Sequence, residues 1–278
     1  MKLRDTLWIW GQDAGSHHHT AQGNIWDLPG ENRMGPVEGC RYLGIPNCCR
    51  VVMNGLPTPP FDGEADKLDC LRRVVWSIIG DSGSARNNEE TDLEEVLRIA
   101  QRHQNVSGAI MDDFMSEERM ELFPPERLGR MRHRLHTAIP GKPLELWTVL
   151  YYHEVSEAMM PWLQHVDRIT LWAWRTEELR QMDEVYARLD NLTADAPKPV
   201  LAGCYFYDYG NCKPMSADTM QLQLEYYYRR LHEGRLDGIV FCSNAVADLG
   251  LEAVRCARDW IARYGDEELS DRWAGGDP

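Results

Sequence analysis

Eight short apolar runs, rich in β-branched and aromatic residues, recur at 7–10, 49–53, 74–79, 109–111, 144–151, 168–172, 200–206 and 238–242. Runs this short, apolar at consecutive rather than alternate positions, read as strands buried on both faces. Segments with a helical repeat lie between them. Leu93, Val96, Leu97 and Ala100 fall at i, i+3, i+4 and i+7, and Thr91 with Glu94 offers a capping box. Leu128, Met131 and Leu135 repeat the stripe behind Pro124 and Pro125, which suit a helix entry. The same period returns at 179–189, 220–231 and 246–264. Such alternation requires a parallel sheet covered by helices. Eight units in 278 residues average about 35 residues each, the size of one βα repeat. An open doubly wound sheet competes, but Gly11-Gln12-Asp13-Ala14-Gly15-Ser16 after the first run does not match its glycine-rich phosphate loop. The α/β pattern therefore predicts a single closed (β/α)8 (TIM) barrel over 1–266, with 267–278 a flexible tail.

Charge narrows the partners. Lys plus Arg number 30 against 44 Asp plus Glu, a formal charge of −14, and no Lys/Arg cluster exceeds two residues. Phosphate backbones are repelled by such a chain, so nucleic acid is not an expected partner. No apolar run approaches the roughly 18 residues that cross a bilayer, and the first residues do not form a secretory core. A cytoplasmic location without membrane contact is expected. The eight cysteines agree with a reducing compartment: they are scattered, Cys48 and Cys49 are adjacent, and there is no C-x-x-C. No structural disulfide is expected.

In barrels of this kind the reactive groups sit at the C-terminal ends of the strands, so the residues after each run form one ring. That ring collects Trp10, Asp13 and His17 after the first run, and Asp112 and Asp113 after the fourth. Tyr151 and Glu154 follow the fifth run, Trp172 and Trp174 the sixth, Tyr207 and Asp208 the seventh, and Asn244 the eighth. Adjacent carboxylates directly after a buried strand repel each other, and strand alternation lets only one of Asp112 and Asp113 enter the mouth. Glu154 and Asp208 are further acid candidates, each equally readable as a helix cap. Flat aromatic faces stack on sugar rings while carboxylates and amides bond hydroxyls. Trp172 and Trp174, alternating at one strand exit, read as such a platform; Trp147 reads as core.

Gly108-Ala109-Ile110-Met111-Asp112-Asp113-Phe114 resembles the strand-four segment of glycoside-hydrolase-like (β/α)8 barrels, a hydrophobic run followed by Asp. The Trp-rich sixth run and Tyr205-Phe206-Tyr207-Asp208-Tyr209 add to the resemblance. It implies hydrolysis of a small glycoside or oligosaccharide by a carboxylate pair. Asp112 or Asp113 would work with Asp208 or Glu154, and Trp10, Asp13, His17, Tyr151, Trp172, Trp174, Tyr207 and Asn244 would hold the sugar. No cofactor or metal is required by that chemistry. Two other readings stay open: a metal-dependent sugar isomerase, aldolase or hydrolase using Asp13, His17, Asp112, His153 and Glu154 as ligands, and a sugar-binding barrel without turnover.

Overall fold

The computed structural model describes residues 1–80 and 89–269. Its barrel strands are β1 (Leu7–Gly11), β2 (Asn47–Arg50), β3 (Arg73–Ile79), β4 (Val106–Met111), β5 (Glu145–Tyr151), β6 (Arg168–Trp172), β7 (Val200–Tyr205) and β10 (Gly238–Cys242). All eight pair in parallel and close in the order β1-β10-β7-β6-β5-β4-β3-β2. A two-residue hairpin, β8 (Tyr207–Asp208) with β9 (Lys213–Pro214), lies outside this ring and has no counterpart in the sequence reading. The helices are α1 (Pro36–Leu43), α2 (Asp62–Leu68), α3 (Thr91–Ala100), α4 (Glu117–Leu122) and α5 (Pro125–Thr137), then α6 (Met160–Leu163), α7 (Met182–Leu192), α8 (Ala217–His232), α9 (Asn244–Ala247) and α10 (Glu252–Tyr264).

The closed barrel agrees with the expectation, and three elements differ from it by more than one residue. The second strand starts at Asn47 and ends at Arg50, because Val51 and Val52 are buried residues of the exit rather than ladder residues. The fourth extends back to Val106, where Ser107 and Gly108 had masked it. The last helical segment breaks into α9 and α10 around Gly250, which holds a left-handed φ of 73°. Residues 267–269 are held against the N-terminus: Leu269 is buried and its amide donates to Met1 O at 2.9 Å. The rest of the segment read as a tail, and residues 81–88 after β3, lie outside the described residues.

The barrel is filled in layers by alternate strand residues. In the lower layer Trp8 meets Trp147 edge to face at 4.8 Å, with Arg73 over Trp8 and Arg168 over Trp147. Arg168 is neutralised by Glu145 at 2.7 Å, so a half-buried cation has its partner. In the next layer Trp10 meets Trp172 at 5.3 Å, and the Trp172 indole donates to Thr170 Oγ1 at 2.8 Å. The Trp172 ring lies directly over Gly203 of the neighbouring strand, where any side chain would collide with it. This tryptophan floor closes the barrel and leaves only the top layer for chemistry. All eight cysteines are free thiols.

Candidate active site

The top layer is built from β4, β5 and β7. In register, Gly108 faces with Glu145 and Ile110 with Trp147, so the inward row of β4 continues two residues beyond Ile110 to Asp112. Asp112 is 8% exposed. Alternation alone would turn Asp113 away. Its backbone is left-handed instead, with φ of 43°, and Asp113 Oδ1 accepts a hydrogen bond from the Tyr151 hydroxyl at 2.8 Å. Both carboxylates of the pair therefore lie near the same two phenols, Tyr151 and Tyr205, where strand alternation alone would turn one of them away.

Their field is visible on the phenols around them. Burial first, then Tyr205 and the Asp113 and Asp112 carboxylates, hold the Tyr151 phenol well above its ordinary range. Burial, the Cys242 thiol and the same two carboxylates do so for Tyr205. The two phenols are thus fixed proton donors beside a carboxylate pair. Glu154 completes the acidic group. Its Oε2 accepts from the Tyr151 amide at 2.7 Å, so it does cap the short turn Tyr152–Glu154. Burial, and secondarily Asp113, raise its pKa above the usual carboxylate range.

Aromatic rings wall this acid cluster. Trp174 meets Tyr151 at 6.0 Å and Tyr205 at 5.9 Å and stacks on Tyr209 at 6.0 Å. Trp174 is partly exposed, as a platform must be. The loop after β1 folds over the rim: His17 Nδ1 bonds the Tyr209 hydroxyl at 2.8 Å, and Trp26 packs on both rings. Tyr205 and Tyr209 enter the sequence reading as part of the strand-seven aromatic segment but not as site residues, and Trp26 does not enter it. For the two tyrosines the signal existed, since Tyr205 falls on the inward row of β7. Trp26 sits in a long loop with no periodicity to place it.

His17 is neutral here, because burial and then His18 lower its pKa to about 3. Between roughly pH 6.5 and 3 the unfolded chain takes up a proton that the folded chain refuses, so stability falls as pH falls across that window. Acid melts should show wild type losing several kcal/mol relative to His17→Gln over this range. Parallel curves for the two proteins would contradict the burial of a neutral ring.

Several expected sugar contacts are structural instead. Trp172 is 2% exposed and Trp10 5%, both in the layer below the mouth, so the platform reduces to Trp174. Asp208 is buried, and its carboxylate is occupied by four donors: Thr176 N and Oγ1, Asn211 N and Asn211 Nδ2. The cap reading holds for it. Tyr207 donates to Trp26 O at 2.7 Å and ties down the rim loop. Asn244 is fully buried and bonds both polar backbone groups of Gln12 and Met34 O. Asp13 is drawn away to Arg50, a guanidinium buried between β2 and α2 that also bonds Glu64 at 2.8 Å. With Asp13 on Arg50 and His17 on Tyr209, the five proposed metal ligands do not form one cluster. Among the described residues the one group with metal-like spacing is Asp66, Asp69 and His103, before β3 and β4 at the opposite end of the barrel. Also among them, no helix is long and apolar enough to cross a membrane.

No protein-family model matches the chain, and no curated protein matches it significantly. Solved structures do. A structure assigned to an alpha-L-fucosidase from Bacteroides thetaiotaomicron superposes with a TM-score of 0.62 at 12% identity, covering 96% of this chain and 94% of that one. The PgaB (BpsB) glycoside hydrolase domain from Bordetella bronchiseptica gives 0.55 at 9% identity, covering 95% and 99%. Catalytic domain 2 of the Ostrinia furnacalis Group II chitinase, solved with a chito-oligosaccharide, gives 0.55 at 10% identity, covering 96% and 98%. At these identities the likeness is one of fold: this chain is a single closed parallel barrel of the kind found in glycoside hydrolases.

Proposed function

We propose that the protein hydrolyses a glycosidic bond in a small glycoside or oligosaccharide at the top of the barrel. The observation that carries this reading is the group of three carboxylates around Tyr151: Asp113 on its hydroxyl, Glu154 on its amide and Asp112 close enough to act on its phenol, with the partly exposed Trp174 against its ring. Glycoside hydrolysis needs one carboxyl group that holds its proton and one carboxylate on the sugar's other side. Glu154 suits the acid, since burial favours its neutral form. Asp113, oriented by the Tyr151 hydroxyl, suits the nucleophile or base, with Asp112 beneath it. Tyr151 and Tyr205 remain protonated and supply donors to the carboxylate or to a sugar hydroxyl. Trp174 supplies the stacking face. The known activities of proteins with this fold support the reaction class without specifying the sugar.

The test is turnover of aryl glycosides and of gluco-, manno-, galacto- and N-acetylglucosamine oligosaccharides, with the product anomer followed by NMR. Release of reducing sugar from at least one series, unaffected by a chelator, is the expected result. Binding without release across every series would assign the barrel to sugar recognition alone. Activity that chelator abolishes and magnesium or manganese restores would favour the metal-dependent alternative.

A further inference from the structure

A wide concavity lies on the outer wall, not at the mouth. It is a trough of about 1070 Å³ with the outer face of α8 as floor, the 176–183 segment on one side and α10 on the other. Its volume lies just above the roughly 300–1,000 Å³ typical of small-molecule sites. Its lining is mixed rather than apolar. Tyr228 and Tyr264, both partly exposed, meet at 4.9 Å, with the buried Trp260 packed against both rings at 6.3 and 5.8 Å. Gln221, Glu225 and Arg229 stand exposed along the floor beside them.

The trough begins where the mouth ends. Gly210 N donates to Trp174 O at 3.3 Å, and Thr176 Oγ1 donates to Asp208 Oδ2 at 2.5 Å. The loop that presents Trp174 to the cleft therefore continues directly into Thr176 and Glu177 of the trough rim.

We infer that this trough is a second carbohydrate-binding site, which holds a distal stretch of an oligosaccharide. The ligand class rests on the glycosidase reading above. Aromatic rings offer faces to the C–H side of a sugar, and amide, carboxylate and guanidinium groups take its hydroxyls. The carboxylates alongside Arg229 would repel an anionic polymer. A second copy of the chain is disfavoured as occupant, because each carries a formal charge of −14.

Calorimetric titration of the full chain with cellopentaose, mannopentaose and chitopentaose tests the inference. Three variants are compared: Trp174→Ala in the mouth, the exposed triple change Gln221→Ala, Glu225→Ala and Arg229→Ala, and Tyr264→Ala. At least one pentasaccharide should bind Trp174→Ala still, and should bind both trough variants about tenfold or more weaker than wild type. Turnover of an aryl monosaccharide should be the same in wild type and trough variants. Equal pentasaccharide affinity in wild type and both trough variants would overturn the inference. So would sedimentation showing a wild-type dimer that the trough changes abolish. Trough binding without turnover of any sugar would refute the glycosidase reading and leave the second site standing. Turnover that the trough changes leave untouched at every chain length would refute the second site alone.

Discussion

Asp113→Asn is expected to lower turnover by about 10²- to 10⁴-fold, the range that a positioned acid, base or nucleophile contributes. The substitution keeps the size of the side chain and an oxygen that can still accept from the Tyr151 hydroxyl. It removes the negative charge and the nucleophile. Folding should be nearly unaffected, because Asp113 is partly exposed at a cleft and not part of the packed layers. Thermal melts within about 2 °C of wild type, beside a collapse of turnover, would separate chemistry from stability. Glu154→Gln should act differently on pH. Because burial raises the Glu154 pKa, the acid form persists to higher pH than for an ordinary carboxylic acid, and activity should decline as pH rises through that value. The glutamine variant should lose that alkaline limb with aryl glycosides whose leaving groups need no proton. A wild-type rate for Asp113→Asn would remove strand four from the mechanism.

The second large effect concerns the floor of the site. Gly203→Ala should destabilise the protein by about 3 kcal/mol or more, beyond the usual cost of an extra methyl group in a core. A methyl group there would fall within the van der Waals envelope of Trp172 Cδ2 and Cε3. Trp172 cannot retreat easily: Trp10 stands against it at 5.3 Å, and its indole N–H is committed to Thr170. The melting temperature should drop by roughly 5–10 °C. Trp172→Phe in the same chain should restore part of the loss, since a smaller ring vacates the contested space. Coupling between the two changes, measured as a double-mutant cycle, would identify the ring as the obstacle. Additive effects would place the cost of the methyl group elsewhere.

The same pair of residues shows why the barrel was legible in the sequence and its mouth only partly so. Continuous apolar runs at a spacing of about 35 residues have few other solutions than a helix-covered parallel barrel. Position along a strand exit was also legible, which is how Asp112, Asp113, Glu154, Tyr151 and Trp174 were placed at the C-terminal end of the barrel. Depth was not. Trp172 and Trp174 share a face, and only the small neighbour Gly203 on the next strand betrays that the first ring lies flat in the core. Local backbone geometry was hidden too. Strict alternation excluded one of Asp112 and Asp113, whereas a single left-handed residue brings the second back to the cleft. Asp208 and Asn244 show a third limit. A carboxylate or amide at a strand end serves equally well as a substrate contact or as a loop anchor, and only the donors around it decide.

The most direct measurement is a crystal structure of the Asp113→Asn protein soaked with whichever oligosaccharide wild type cleaves fastest. The account requires a sugar ring against Trp174, with the scissile oxygen within hydrogen-bond reach of Glu154 and the anomeric carbon facing residue 113. A sugar bound in the mouth with Glu154 and both strand-four side chains out of reach of the glycosidic bond would contradict it.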